Sequence, residues 1–166
     1  YEYLFSLYDE VLKTYSPSRL LICHDEIKGL SVYAQKTGKD TAEILAMDVR
    51  RIHDWLKTRQ IQTVMSSDML LDHETWEAKV GYANSRNPFY QSGATHLAQR
   101  QLPRDILILD WHYNERKKYE SIEYFRGIGF NVAGASWHDP KAAQLLVGSV
   151  KHFGGQGIFA HDFGFW

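Results

Sequence analysis

Asp25 and Glu26 stand side by side at the end of the short apolar run Arg19-Leu20-Leu21-Ile22-Cys23, with His24 just before them. Four more apolar runs close in the same manner, on Ser67-Asp68, Asp110-Trp111-His112-Tyr113, Trp137-His138-Asp139 and His161-Asp162. Strand ends are polar in any protein, because they leave the core. Carboxylates accompanied by Trp or His at four of these five ends suit a shared reaction cleft better. Breaking a glycosidic bond takes a carboxylic acid to protonate the leaving oxygen and a negative charge to stabilise the cationic transition state. Two acidic groups in different environments are therefore the minimum equipment. Neighbours on a strand point to opposite sides, but where the strand ends the backbone bends, and both carboxylates can reach a cleft floor. An Asp-Glu pair alone is common on surfaces; its place beside the other polar ends gives it weight.

The same residues support rival chemistries. His24, His112, His138 and His161 fall near strand ends with Asp25, Asp110 and Asp162 nearby, a set that barrel hydrolases gather around zinc. Neither an HxH pair nor an HExxH helix is present, and each imidazole serves equally well as a hydrogen-bond partner of a carboxylate or a sugar hydroxyl. No metal and no other cofactor is expected. Cys23 beside His24 resembles a nucleophile and base only on paper, since strand neighbours face apart; the apolar run predicts a buried structural thiol with a raised pKa.

The elements that must position these groups follow from periodicity. Leu4, Tyr8, Val11 and Tyr15 mark an amphipathic helix that Ser16-Pro17 stops. The run ending at Cys23 reads as a strand buried on both faces. Asp40 with Glu43 forms a capping box, and Leu45, Val49, Ile52 and Leu56 continue on one helical face. Strands follow at 62–65 and 106–109. Between them, residues 71–103 carry mixed aromatics and the breakers Gly81, Pro88, Gly93 and Pro103, which predicts a lid or binding loop holding short helices. Ile122, Phe125 and Ile128 share a helix face that Gly129 ends, and 131–135 is a fourth strand. Pro140 opens a helix carrying Leu145, Leu146 and Val150, which Gly154-Gly155 closes before a fifth strand at 157–160. Helices alternating with strands and no hairpin signal predict an α/β fold with a parallel sheet, either doubly wound or part of a barrel. In both, the carboxyl ends of the strands form the functional edge.

Composition narrows the partners. Lys and Arg number 19 against 20 Asp and Glu, so there is no basic field for a phosphate backbone, and nucleic acid is not an expected partner. No apolar run approaches the roughly 18 residues of a membrane helix, so no membrane partner is expected either. A single cysteine rules out an internal disulfide and gives no support to an oxidising compartment. Five Trp, ten Tyr and eight Phe suit a cleft whose flat rings cover the apolar faces of sugars, although a packed core uses them too. The 166 residues predict one structural unit. Tyr1 without a preceding methionine, and an end at Trp166 directly after a strand-like run, predict a piece of something longer.

Leu21-Ile22-Cys23-His24-Asp25-Glu26 resembles the signature strand of glycoside hydrolase family 20, the β-N-acetylhexosaminidases, whose usual form is His-x-Gly-Gly-Asp-Glu. Val64 through Leu70 is similar to that family's next strand, Asp110-Trp111-His112-Tyr113 to its sixth, and Gly157 through Phe163 to its last. The resemblance implies a partial (β/α)8 TIM barrel, of which these five strands are the fourth to the eighth. It implies a retaining reaction assisted by the substrate's own acetamido group, on an oligosaccharide or glycoconjugate with terminal β-linked N-acetylhexosamine. Glu26 is then the acid and later the base, and Asp25 orients and charge-stabilises the acetamido group. Trp111 walls the acetamido pocket, Tyr113 donates to its oxygen, and His24, Asp68, Trp137, Asp139 and Asp162 are further substrate-binding residues. Cys23 replaces a family glycine, Leu21 a histidine, and Ser66 and Phe163 stand near expected tryptophans, which points to a divergent branch with another sugar preference. A half barrel leaves strand edges open, so the alternative is a non-catalytic sugar-binding module or a homo-oligomer joined through those edges.

Overall fold

A computed structural model describes residues 1–160. Helix α1 spans Glu2–Tyr15 and stops where Ser16 turns left-handed at φ 45°. Strand β1 is Arg19–Leu21, followed by a short helix α2 at Leu30–Thr37 between Gly29 and Gly38, both at positive φ. Helix α3, Thr41–Lys57, starts on the side chain of Asp40, which accepts the N–H groups of Ala42 and Glu43, and buries Leu45, Val49, Ile52 and Leu56 as its periodicity requires. Then come β2 at Gln62–Ser66, α4 at His73–Val80, β3 at Leu107–Trp111, α5 at Glu120–Gly127, β4 at Asn131–Ser136, α6 at Pro140–His152 and a short β5 at Ile158–Ala160.

The strands pair in parallel and in sequence order, β1-β2-β3-β4-β5, with Leu20 opposite Thr63, Met65 opposite Ile108 and Ile108 opposite Val132. A doubly wound sheet must reverse its strand order at a switch point; this order never reverses. Right-handed crossovers then put every connecting helix on the same face. The two apolar clusters agree with this. The larger packs Met65, Ile106, Ile108 and Val132 against Val49, Ile52 and Leu56 of α3, Ile122 and Phe125 of α5, and Leu146 and Val150 of α6. The smaller contains strand residues only, Val64, Leu107, Leu109, Ala133 and Ala135, with Trp111 leaning on it. One face of the sheet is thus helix-covered and the other is lined by the strands' own alternate side chains.

Three sequence expectations change. β1 is an edge strand rather than one buried on both faces: Leu21 is 42% exposed, because among the described residues only β2 pairs with this strand. Cys23 is exposed rather than buried, since positive φ at Cys23 (61°) and His24 (62°) turns the chain out of the strand; partial burial of the thiol and the nearby Asp25 still push its pKa up. The contact face of α1 is rotated. Phe5 stacks on Trp55 of α3 at 4.7 Å between ring centroids and Tyr8 tilts against it, leaving Val11 and Tyr15 exposed.

Candidate active site

The turn after β1 presents Asp25 and Glu26 at the C-terminal edge of the sheet, where both are exposed. Neither forms the floor that the sequence predicted for the pair. The edge position of β1 explains this, because no described strand flanks it on the outer side. Cys23, His24 and Glu26 all sit at positive φ, the last at 49°, a conformation costing non-glycine residues about 1–3 kcal/mol each unless surrounding contacts impose it. Two anchors do so. The His24 ring donates from Nδ1 to the carbonyl of Ile22 at 2.9 Å, and its Nε2 lies 2.6 Å from Asp48 Oδ2 on α3. Asp48 also accepts the Tyr1 hydroxyl; these bonds, the His24 one foremost, hold its pKa below the usual carboxylate value. With both ring nitrogens engaged, His24 is an anchor of the turn rather than a free sugar ligand.

The second anchor is Asp68, in the 3₁₀ turn that follows β2 and 0% exposed. Its Oδ2 accepts the backbone N–H of Glu26 at 2.9 Å and the side-chain amide of Asn84 at 2.8 Å. Oδ1, equally buried, meets no donor among the described residues. Burial pushes the Asp68 carboxyl up to about 7, the charge of Asp25 adding to the effect and hydrogen bonding, from Glu26 foremost, opposing it. Asp68 lies beneath the turn that carries Glu26, out of contact with solvent.

The long connection 71–103 folds over the same edge. Asp72, buried at its start, forms a two-point pair with Arg86, Nε–Oδ1 and Nη2–Oδ2 both at 2.6 Å, and the Ser85 N–H donates to the carbonyl of Leu71. The carbonyls of Tyr90 and Gln91 accept the N–H groups of Gly29 and Ser31, tying the loop to the start of α2. Tyr90 is thereby aimed at Glu26, and its hydroxyl donates to Oε1 at 3.0 Å. Burial first, then the carboxylate of Glu26, pushes this phenol up to about 12, so it stays a donor. Lys28 lies 5.0 Å from the centre of the Phe89 ring and 5.6 Å from that of Tyr90.

β3 separates its polar residues by alternation. Asp110 and His112 turn to the helix side, fully buried, where Asp110 accepts Tyr82 Oη at 2.6 Å, Ser121 Oγ at 2.7 Å and His112 Nε2 at 3.0 Å. These partners overcome burial and hold the Asp110 pKa down. Trp111, which packs against both apolar clusters, and Tyr113 continue a row of rings: the Tyr82 and Trp111 rings lie 4.0 Å apart, Trp111 and Tyr113 5.2 Å, Tyr113 and Trp137 5.4 Å. The negative field of Asp25, Glu26 and Asp68 reaches Tyr113 and, behind burial, raises its pKa. Asp25, Glu26, Asp68 and Tyr90 are thus grouped at the strand ends near Tyr113, which ring contacts link to Trp111 and Trp137.

Asp139 has a capping task that the sequence reading did not assign to it. Its Oδ1 accepts the N–H groups of Lys141 and Ala142 and caps α6, the ordinary task of an Asp immediately before a helix-opening proline. Asp162, with His161 and Phe163, lies outside the described residues. Tyr90, Asn84 and Asp48 were not singled out by sequence reasoning. The aperiodic stretch flagged as a binding loop was the available signal for the first two; nothing marked Asp48, one acid among many on a helix. Among the described residues no three of His, Cys, Asp and Glu gather into a metal-holding group. A groove of about 330 Å³ between residues 116–119 and α6 shares no residue with the strand-end group. Compared with models of protein families and with curated proteins, the chain matches none.

Proposed function

We propose that this chain is the second half of a glycoside hydrolase barrel of the family 20 type, supplying strands four to eight, and that it cleaves terminal β-linked N-acetylhexosamine from oligosaccharides or glycoconjugates. The observation that carries the reading is the Glu26 carboxyl. It stands at the strand ends beside Asp25, held through its backbone by Asp68 and through its side chain by Tyr90, and its charge is felt by Tyr113, which is in ring contact with Trp111 and Trp137. Glu26 protonates the glycosidic oxygen as the acetamido oxygen of the substrate attacks the anomeric carbon, so the leaving group departs as an alcohol and a cyclic oxazolinium forms. Asp25 takes the acetamido N–H and balances the growing positive charge. Glu26, now a carboxylate, removes a proton from the water that opens the ring on the same face, which regenerates the acid and retains the anomeric configuration. The rings supply the flat apolar surface an N-acetylated pyranose requires.

A metal-dependent hydrolase draws less support, because both ring nitrogens of His24 are engaged, by Asp48 and the Ile22 carbonyl, and no three of His, Cys, Asp and Glu gather among the described residues. The test uses the complete protein that carries this chain, with nitrophenyl N-acetyl-β-glucosaminide and nitrophenyl β-glucoside as paired substrates. Cleavage of the first alone, with the β anomer appearing first by proton NMR, is the expected result. Equal cleavage of both, release of the α anomer, or no cleavage of either overturns the reading.

A further inference from the structure

We propose that Asp68 is the positioning residue for Glu26: its buried carboxyl, steadied by Asn84, carries the Glu26 backbone N–H and so fixes the turn that presents the acid to the leaving oxygen. The inference rests on the hydrolase reading for what Glu26 does, though not for where Glu26 is held. Asp110 shows what a carboxyl serving the fold alone looks like here. Both of its oxygens are bonded, by Tyr82 on Oδ1 and by His112 and Ser121 on Oδ2, and its pKa is held down. Asp68 differs in each respect. It is as buried, but Oδ2 takes both partners and Oδ1 takes none, and burial pushes it up to about 7. Its N–H partner belongs to a residue at φ 49°, in a turn where Cys23 and His24 are left-handed as well. Such a turn relaxes once its anchors go. The groups facing Asp68 are Asp25 and Glu26 from the turn after β1, Asn84 and Tyr90 from the loop, and Tyr113 beyond β3. An ionised Asp68 repels Asp25 and a neutral one does not, so the seat of Glu26 responds to pH near neutrality.

The test compares Asp68→Asn and Asp68→Ala in the complete protein on an aryl and a disaccharide N-acetyl-β-glucosaminide. A nitrophenolate departs with little help from an acid, whereas a sugar alkoxide needs the proton. Asp68→Ala is expected to lower kcat on the disaccharide about tenfold more than on the aryl substrate, with KM held. Asp68→Asn keeps an acceptor oxygen, restores most of that kcat and removes the inflection near pH 7 from the kcat profile. Equal losses on both substrates, or no loss in Asp68→Ala, overturn the inference. Amide hydrogen exchange reports on it without activity: Glu26 N–H is expected to exchange about tenfold faster in Asp68→Ala than in wild type or Asp68→Asn, and equal protection in all three overturns it. If Asp68→Ala fails to fold, Asn84→Ala, which removes the other holder of Oδ2, is expected to show the same substrate-dependent loss, and its absence overturns the inference. An inactive wild type sinks the hydrolase reading alone, because the exchange measurement still decides how Glu26 is held.

Discussion

Asp68 and Asp110 lie on or just beyond neighbouring strands and both have lost contact with solvent, yet burial wins at one and hydrogen bonds win at the other. The consequence for Asp68 has a definite sign. An ordinary Asp titrates near 3.9 when unfolded, and this one near 7 when folded, so between those values the folded protein holds the extra proton. The stability it contributes is complete below about pH 4, falls as the pH rises to about 7, and is then constant. Urea unfolding of wild type minus Asp68→Asn, measured from about pH 4 to about pH 8, is expected to fall by on the order of 4 kcal/mol; a pH-independent difference contradicts it. Tyr90→Phe removes one hydrogen bond to an exposed carboxylate, worth about 1 kcal/mol, and is expected to lower kcat on a disaccharide about fivefold with little change in KM. An unchanged kcat removes Tyr90 from the site. At this scale the strand-end acids were legible, because a polar cluster after an apolar run shows in the chain itself. The division of labour was not: Asp139 caps a helix and His24 anchors a turn, and partners decide such roles at contacts as far apart in sequence as the 64 residues between Glu26 and Tyr90.

The element that turns a row of strand ends into a mouth is the loop between α4 and β3. Thr95 Oγ1 donates to the carbonyl of Met69 at 2.8 Å, Asp72 grips Arg86, and Gly93 passes so close to α3 that an added Cβ would lie 2.6 Å from Thr41 Cγ2. Gly93 is also left-handed, at φ 69°, so glycine answers two demands at once. Gly93→Ala is therefore expected to destabilise the protein by about 2 kcal/mol and to weaken the tie of Tyr90 to Glu26, seen as a lower urea midpoint and reduced kcat; unaltered stability contradicts the close approach. Elements with strong local signals were readable in advance: the Asp40 cap, the α3 face, the proline opening α6 and the interior strands. α2 escaped because Leu30–Thr37 is short, lies between two glycines and buries only Ala34. The rotation of α1 escaped because an aromatic partner, Trp55, selects which of two adjacent apolar rows is used.

Across the whole molecule, local patterns announce that strands alternate with helices, but strand order is a property of long-range pairing; the parallel order without reversal is compatible with a barrel segment. The order without reversal leaves an open edge at β1, where Leu21 is 42% exposed beside unpaired backbone groups. Residues 1–166 on their own are expected to self-associate, with sedimentation mass rising with concentration and Leu21→Lys lowering it; a monomer at every concentration contradicts this. The central claim concerns the other end of that strand, where one carboxyl is proposed to give a proton to the leaving sugar oxygen and then to take one from the attacking water. Its most direct test is Glu26→Gln in the complete protein, assayed on a disaccharide N-acetyl-β-glucosaminide with folding verified by circular dichroism. The account predicts a loss of roughly a hundredfold to ten-thousandfold in kcat, and a folded Glu26→Gln protein turning over at the wild-type rate contradicts it.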